Sequence, residues 1–141
     1  MLDTVRKYIP RKSKIGVAVS GGKDSCTLLH LLAKLDFELV GIFVDEGING
    51  FRDICKKFAV KNFKEVGIEY EVVEFKREIG ITIDEIVKKT RNTCSYCGVI
   101  RKYLLNKVAV ELKLDAIAVA HTLDDEAQVA LMNFAGGDVE R

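Results

Sequence analysis

Three apolar runs in this chain do not alternate with polar residues: IGVAV (15–19), LVGIFV (39–44) and DAIAVA (115–120). A strand with one wet face alternates with period two, whereas a strand covered on both faces reads as a continuous apolar run. A fourth strand is expected at EYEVVEF (69–75). Between the runs lie segments with helical spacing, SCTLLHLLAKL (25–35), RDICKKFAVKNFKEV (52–66) and GVIRKYLLNKVAVELK (98–113). The last of these places Ile100, Leu104, Val108 and Leu112 on one stripe. Alternating strands and helices imply an α/β fold: a doubly wound parallel sheet of at least four strands, with right-handed crossovers and helices on both faces. Ligands are then expected at the carboxyl ends of the strands.

The 141 residues suit a single domain, 1–141, with 48% hydrophobic and 30% charged residues giving both a core and a soluble surface. Residues 1–14 are expected to form a helix or arm closed by Pro10, the one proline, and a further helix is expected from about Leu123 to Phe134, stopped by Gly136-Gly137. The abrupt end after that helix is what a fragment of a longer chain would give. With a net charge of +1, any nucleic-acid partner has to be argued locally. No segment approaches the roughly 20 apolar residues of a membrane span, so no membrane partner is expected and a cytoplasmic location is.

The run VAVSGGKDSC (17–26) leads the first strand into a glycine turn. Gly21 and Gly22 let the backbone bend sharply, and the amides of the turn and of the next helix's first turn point outward as unpaired donors, which makes an anion site. The common phosphate loop G-x-x-x-x-G-K-[ST] does not fit, because Val17 stands at its first glycine and Asp24 at its magnesium-binding Ser/Thr. A plain turn capped by Asp24 or Ser25 is the alternative.

Four cysteines, Cys26, Cys55, Cys94 and Cys97, are too few and too irregular for a disulfide framework. Cys26 and Cys55 sit in apolar helical patterns and read as small hydrophobes. Cys94 and Cys97 lie just before the helix that enters the last strand, where a helix amino terminus would lower a thiol pKa. A metal or cluster site, a redox disulfide and inert cysteines all remain open for this pair.

A strand followed by SGGKDS and a helix resembles the PP-loop, or ATP pyrophosphatase, family, and Ser20 to Ser25 match its signature at every position. The run from Cys94 to Gln128, CSYCGVIRKYLLNKVAVELKLDAIAVAHTLDDEAQ, is similar to the tRNA-thiolating TtcA/TtuA group, and within it to the TtuA-like tRNA 2-thiouridine synthetases, because glycine follows the second cysteine. The resemblance implies a fold of the HUP, adenine nucleotide alpha-hydrolase-like type. It implies ATP cleaved between the α- and β-phosphates, with Ser20, Gly21, Gly22, Lys23, Asp24, Ser25, Val44, Ala120 and Asp125 at the nucleotide. It implies Lys23, Asp24, Arg101 and Asp125 as catalytic residues, and magnesium on Asp24. It also implies Cys94 and Cys97 as two of three ligands of a 4Fe-4S cluster, the third lying beyond Arg141, a tRNA substrate, a homodimer, and sulfide, a persulfide or a sulfur-carrier protein as donor.

Three further stretches keep both a local and a functional meaning. Between Lys88 and Lys113 stand seven Lys or Arg against one acid, Glu111, which fits a tRNA-facing surface or a solvated helix face equally well. His121-Thr122-Leu123-Asp124-Asp125-Glu126 opens the last helix, where acids are favourable in any case; His121 is either a site residue or a packed histidine. The family turn has glycine and asparagine where Ala120 and Thr122 stand here. Val44-Asp45-Glu46-Gly47 ends the second strand, either as a contact for adenine through Val44 or as an acidic turn.

Together these imply the core of an ATP-dependent tRNA sulfurtransferase that adenylates the C2 oxygen of a pyrimidine, uridine being expected, before sulfur replaces oxygen. The rival readings are another PP-loop ligase or amidotransferase, and a non-catalytic nucleotide-binding module with a structural zinc shared across a dimer.

Overall fold

The computed structural model describes Val5 and residues 7–137. The expected arm over 1–14 thus falls outside the described residues at 1–4 and 6; its described part carries a hydrogen bond from Ile9 N to the Val5 carbonyl (3.0 Å) just before Pro10.

Strands β1 (Lys14–Ala18), β2 (Glu38–Asp45), β3 (Glu69–Glu74) and β4 (Ala116–Ala118) form one sheet in the order β3-β2-β1-β4. Every pairing is parallel, with Val17 of β1 opposite both Gly41 and Ala118. The helices are α1 (Lys23–Leu32), α2 (Arg52–Val66), α3 (Phe75–Ile79), α4 (Ile83–Val87), α5 (Thr93–Glu111) and α6 (Leu123–Ala135). The chain winds outward from β1 to β3 and then returns to the other side of β1, so the winding reverses between β1 and β4. In an open α/β sheet that reversal opens a crevice at the carboxyl ends of the strands.

Strand β2 explains why the apolar runs do not alternate. Leu39 and Phe43 enter one core with Ile15, Val17, Leu29, Ala59 and Phe63 beneath α1 and α2. Ile42 and Val44 enter a second core with Val73, Phe75, Ile83, Ile86, Leu104, Leu105 and Val108 beneath α3, α4 and α5. Phe43, Phe63 and Phe75 are fully buried, and each such side chain stabilises the fold by about 1.5–3 kcal/mol. Helix α2 lies against β2 only because residue 41 is glycine: a Cβ there would stand 2.3 Å from Cε1 of Phe63.

The second helix occupies the expected span, but the third begins earlier. Helix α5 starts at Thr93, five residues ahead of the expected Gly98, so Cys94 and Cys97 lie inside the helix rather than before it. The expected stripe holds at Leu104 and Val108, which are buried, while Ile100 and Leu112 pack partly buried against the same core. Helices α3 and α4 were not expected, although Thr82-Ile83-Asp84-Glu85 carries a capping-box signature. That box is formed: Glu85 N donates to Thr82 Oγ1 (3.3 Å) and Thr82 N donates to Glu85 Oε2 (2.8 Å). Helix α6 stands where expected, yet none of its described residues is buried, and Leu123, Leu131, Met132 and Phe134 face outward. Among the described residues no helix is long and apolar enough to cross a membrane.

Candidate active site

The turn after β1 is held open by its own side chains. Ser25 is buried; its hydroxyl accepts from Ser20 N (3.1 Å) and donates to the Gly22 carbonyl (3.0 Å). Gly21 adopts φ +86°, and a Cβ on it would lie 2.4 Å from the Cys55 carbonyl, so only glycine lets the turn pass under α2. No side chain caps α1, which leaves the amides of Lys23, Asp24 and Ser25 without partners among the described residues. Those amides, with the helix dipole behind them, are the unpaired donors expected from the sequence. Lys23 Nζ is 2.7 Å from Asp24 Oδ1 in an exposed pair, a contact worth little in water and readily exchanged for a polyanion.

A cleft of about 260 Å³ lies at the winding reversal. Ala18, Ser20, Gly22, Asp24 and Ser25 line it from β1 and its turn, Val44 and Glu46 from the end of β2, Arg52 from the start of α2, Arg101 and Leu105 from α5, and Ala120 and His121 from the end of β4. The phosphate turn, Arg101 and the β4 end therefore meet at one place, as the topology requires.

Two residues at the heart of this cleft were not singled out from the sequence. Glu46 and Arg52 are 3% and 7% exposed, and Arg52 Nε lies 2.6 Å from Glu46 Oε2 as an ion pair off the hydrogen-bond direction. Arg52 also donates to the carbonyls of Val44 and Ser20 and stacks 4.4 Å from the centre of the Phe43 ring. The other carboxylate oxygen of Glu46 lies 2.8 Å from Arg101 Nη2. A signal was present: Arg52 is the first residue of α2, where the dipole disfavours a cation, so a compensating acid nearby was to be expected. The neighbouring Asp45 does form the acidic turn, accepting from Gly47 N (2.9 Å). Val44 is expected from the sequence as a backbone contact for adenine; its carbonyl already accepts from Arg52.

Arg101 Nη2 is also 3.4 Å from Cys97 Sγ, which ties the thiol pair to the cleft. The expectation of a lowered thiol pKa at Cys97 is corrected: burial pushes it above the ordinary value, outweighing the downward pull of Arg101, and Glu46 adds to the rise. The reason lies in the early helix start, which puts Cys97 in the second turn, where the dipole no longer acts strongly. Cys94 is exposed. Cys26 and Cys55 pack against the first core, and burial raises the Cys26 thiol pKa as well.

Asp125 does not line the cleft. Its Oδ2 accepts from Thr122 N (2.8 Å) and Oγ1 (2.7 Å), closing a capping box at the start of α6 that holds its carboxyl below the usual range. His121 lines the cleft and pairs with Glu126 (3.0 Å). Of the basic run, Lys107 is taken by Glu78 (2.6 Å), whereas no ion pair engages Lys88, Lys89, Arg91 or Lys102 among the described residues.

The donor set fits magnesium better than it fits a cluster. Asp24 beside unpaired amides supplies the one carboxylate that magnesium commonly takes when phosphate oxygens and water complete its shell. A 4Fe-4S cluster needs more thiolates than Cys94 and Cys97, and among the described residues no group of three His, Cys, Asp or Glu is gathered for a metal.

A family model described as a PP-loop domain matches residues 2–140. The chain belongs to the PP-loop family. A Methanocaldococcus jannaschii protein named "Probable sulfurtransferase" is 42% identical to this PP-loop chain over 98% of its length and 43% of the relative's. The tRNA 2-thiolation protein NcsA of Haloferax volcanii is 40% identical over 89% of this chain and 41% of its own. Among solved structures, the U34-tRNA thiolase NcsA from Methanococcus maripaludis, with its [4Fe-4S] cluster, superposes with a TM-score of 0.86 at 44% identity, covering 96% of this chain and 46% of that one. The HUP-like fold expected from the sequence is thereby established for this PP-loop domain, which spans less than half the length of the relatives it matches.

Proposed function

We propose that this PP-loop domain is the nucleotide-activating core of an ATP-dependent tRNA sulfurtransferase. One observation carries the reading: Arg101, a cation that lines the cleft beside the phosphate turn, is also in contact with the Cys97 thiol. The pyrophosphate of ATP sits on the amides of Lys23, Asp24 and Ser25, with the Lys23 ammonium turned to it; Asp24 would hold a magnesium ion, which would offset the charge of the leaving phosphates. The C2 oxygen of a tRNA uridine attacks the α-phosphorus. The bond between that phosphorus and the bridging oxygen breaks, and pyrophosphate leaves. Sulfur then adds at C2 and AMP departs with the former C2 oxygen. Arg101 steadies the α-phosphate, and Asp125 is assigned to the nucleotide on the strength of family likeness alone. Cys94 and Cys97 would supply two thiolates to a 4Fe-4S cluster whose third lies outside these 141 residues; when bound, it carries the sulfur to be inserted. The unpaired Lys88, Lys89, Arg91 and Lys102 suit a tRNA backbone. A cytoplasmic homodimer and sulfide, a persulfide or a sulfur-carrier protein as donor complete the reading.

The test uses the full-length protein with tRNA, purified anaerobically. Lys23→Ala is expected to abolish pyrophosphate release, whereas Cys97→Ala spares it and blocks sulfur insertion. Equal loss of both steps in both variants overturns the division of roles. Zinc at one ion per dimer, with no pyrophosphate released, overturns the reading in favour of a nucleotide-binding module.

A further inference from the structure

Glu46 is nearly inaccessible, and its two carboxylate oxygens serve two different arginines. Arg52 is fixed on every side, by Glu46 Oε2, by the Val44 and Ser20 carbonyls and by the Phe43 ring. Arg101 is half exposed, and among the described residues its partners are Glu46 Oε1 and Cys97 Sγ. An exposed arginine on a helix samples many rotamers, and its ordering has an entropic cost. Arg101 alone would not stay between the cleft and the thiol.

We infer that Glu46 is a positioning residue that transmits the rigidity of the buried Arg52 to Arg101, holding that guanidinium at the junction of the nucleotide cleft and the Cys97 thiol. The clamp joins three elements: the end of β2, the start of α2 and the second and third turns of α5. Through the Ser20 carbonyl it also reaches the first residue of the phosphate turn. Its geometry stands on this structure, but its consequence for catalysis rests on the reading of the cleft as an ATP site. A cation held in advance acts on charge developing at the α-phosphate without reorganising during the reaction. Both Glu46 oxygens are taken by arginines, so Glu46 acts through Arg101, and removing it should lower kcat while leaving KM for ATP, set by Lys23 and the turn amides, nearly unchanged.

The experiment is a double-mutant cycle in the full-length protein, reading tRNA-dependent pyrophosphate release. Glu46→Gln and Arg101→Ala are each expected to lower kcat by about 100-fold, the scale of a misplacement near 1 Å, and the double variant to be no slower than the slower single. Glu46→Asp is expected to recover part of the rate. Multiplied losses in the double variant, or an unchanged kcat in Glu46→Gln, overturn the clamp. Should Glu46→Gln fail to fold, Glu46→Asp takes its place in the cycle, since it keeps a charge opposite Arg52 while drawing the carboxylate back from Arg101. A second readout needs no turnover: the native apoprotein should give resolved Nη–H resonances for Arg101, as only a held guanidinium does, and Glu46→Gln should lose them. If the native protein releases no pyrophosphate, the sulfurtransferase reading fails while these resonances still decide the clamp; their persistence in Glu46→Gln overturns it.

Discussion

Two acids stand at two strand ends on the same edge of the sheet, and they do opposite work. Glu46, after β2, is buried and bridges two arginines from different helices. Asp125, after β4, is exposed and spends its carboxylate on the first turn of its own helix. Sequence favoured Asp125, through family likeness, and left Glu46 in a turn. The difference teaches that an acid's role depends on what packs over it: α2 and α5 cover the end of β2, whereas no described residue of α6 is buried. A charge under cover must be paired, and pairing turns it into a framework for other groups.

The contrast breaks first at Glu46. Glu46→Ala leaves Arg52 buried without its counter-charge and is expected to destabilise the protein by about 3–5 kcal/mol in denaturant unfolding, while Asp125→Ala leaves the global midpoint almost unmoved. Equal effects would erase the distinction between the two strand ends. The next effect is local. Thr122→Ala removes the cap of α6 and should cost about 1 kcal/mol, seen as faster amide exchange within residues 123–135 and not elsewhere. The smallest concerns pH. The Thr122 hydroxyl, and then its amide, hold the Asp125 carboxyl below the ordinary aspartate range. Its stabilisation is therefore complete above the unfolded aspartate pKa and lost as pH falls through the lowered folded value. Exchange protection of α6 should fall in acid, and by less in Thr122→Val, whose cap has already lost the hydroxyl.

Much of the fold was legible because burial on two faces writes itself as an unbroken apolar run. IGVAV and LVGIFV became β1 and β2, and the helical spacing over 52–66 became α2. The turn at SGGKDS was legible because its geometry is local: Ser20 and Ser25 bond to each other, and the glycines bend the chain between them. Helix α5 was misjudged at its start because Thr93 to Cys97 carry no apolar stripe, and that error carried over to the Cys97 thiol, whose burial no local pattern records.

The sequence by itself determined the parallel sheet, the phosphate turn and the presence of a thiol pair, since each depends on residues close together in the chain. Only the tertiary structure decided that Glu46, Arg52, Arg101 and Cys97 form one connected set. Their contacts cross 6, 55 and 4 positions along the chain, and a buried charge chooses its partner by proximity in space, where low polarity makes an unpaired ion costly, whatever the separation in sequence.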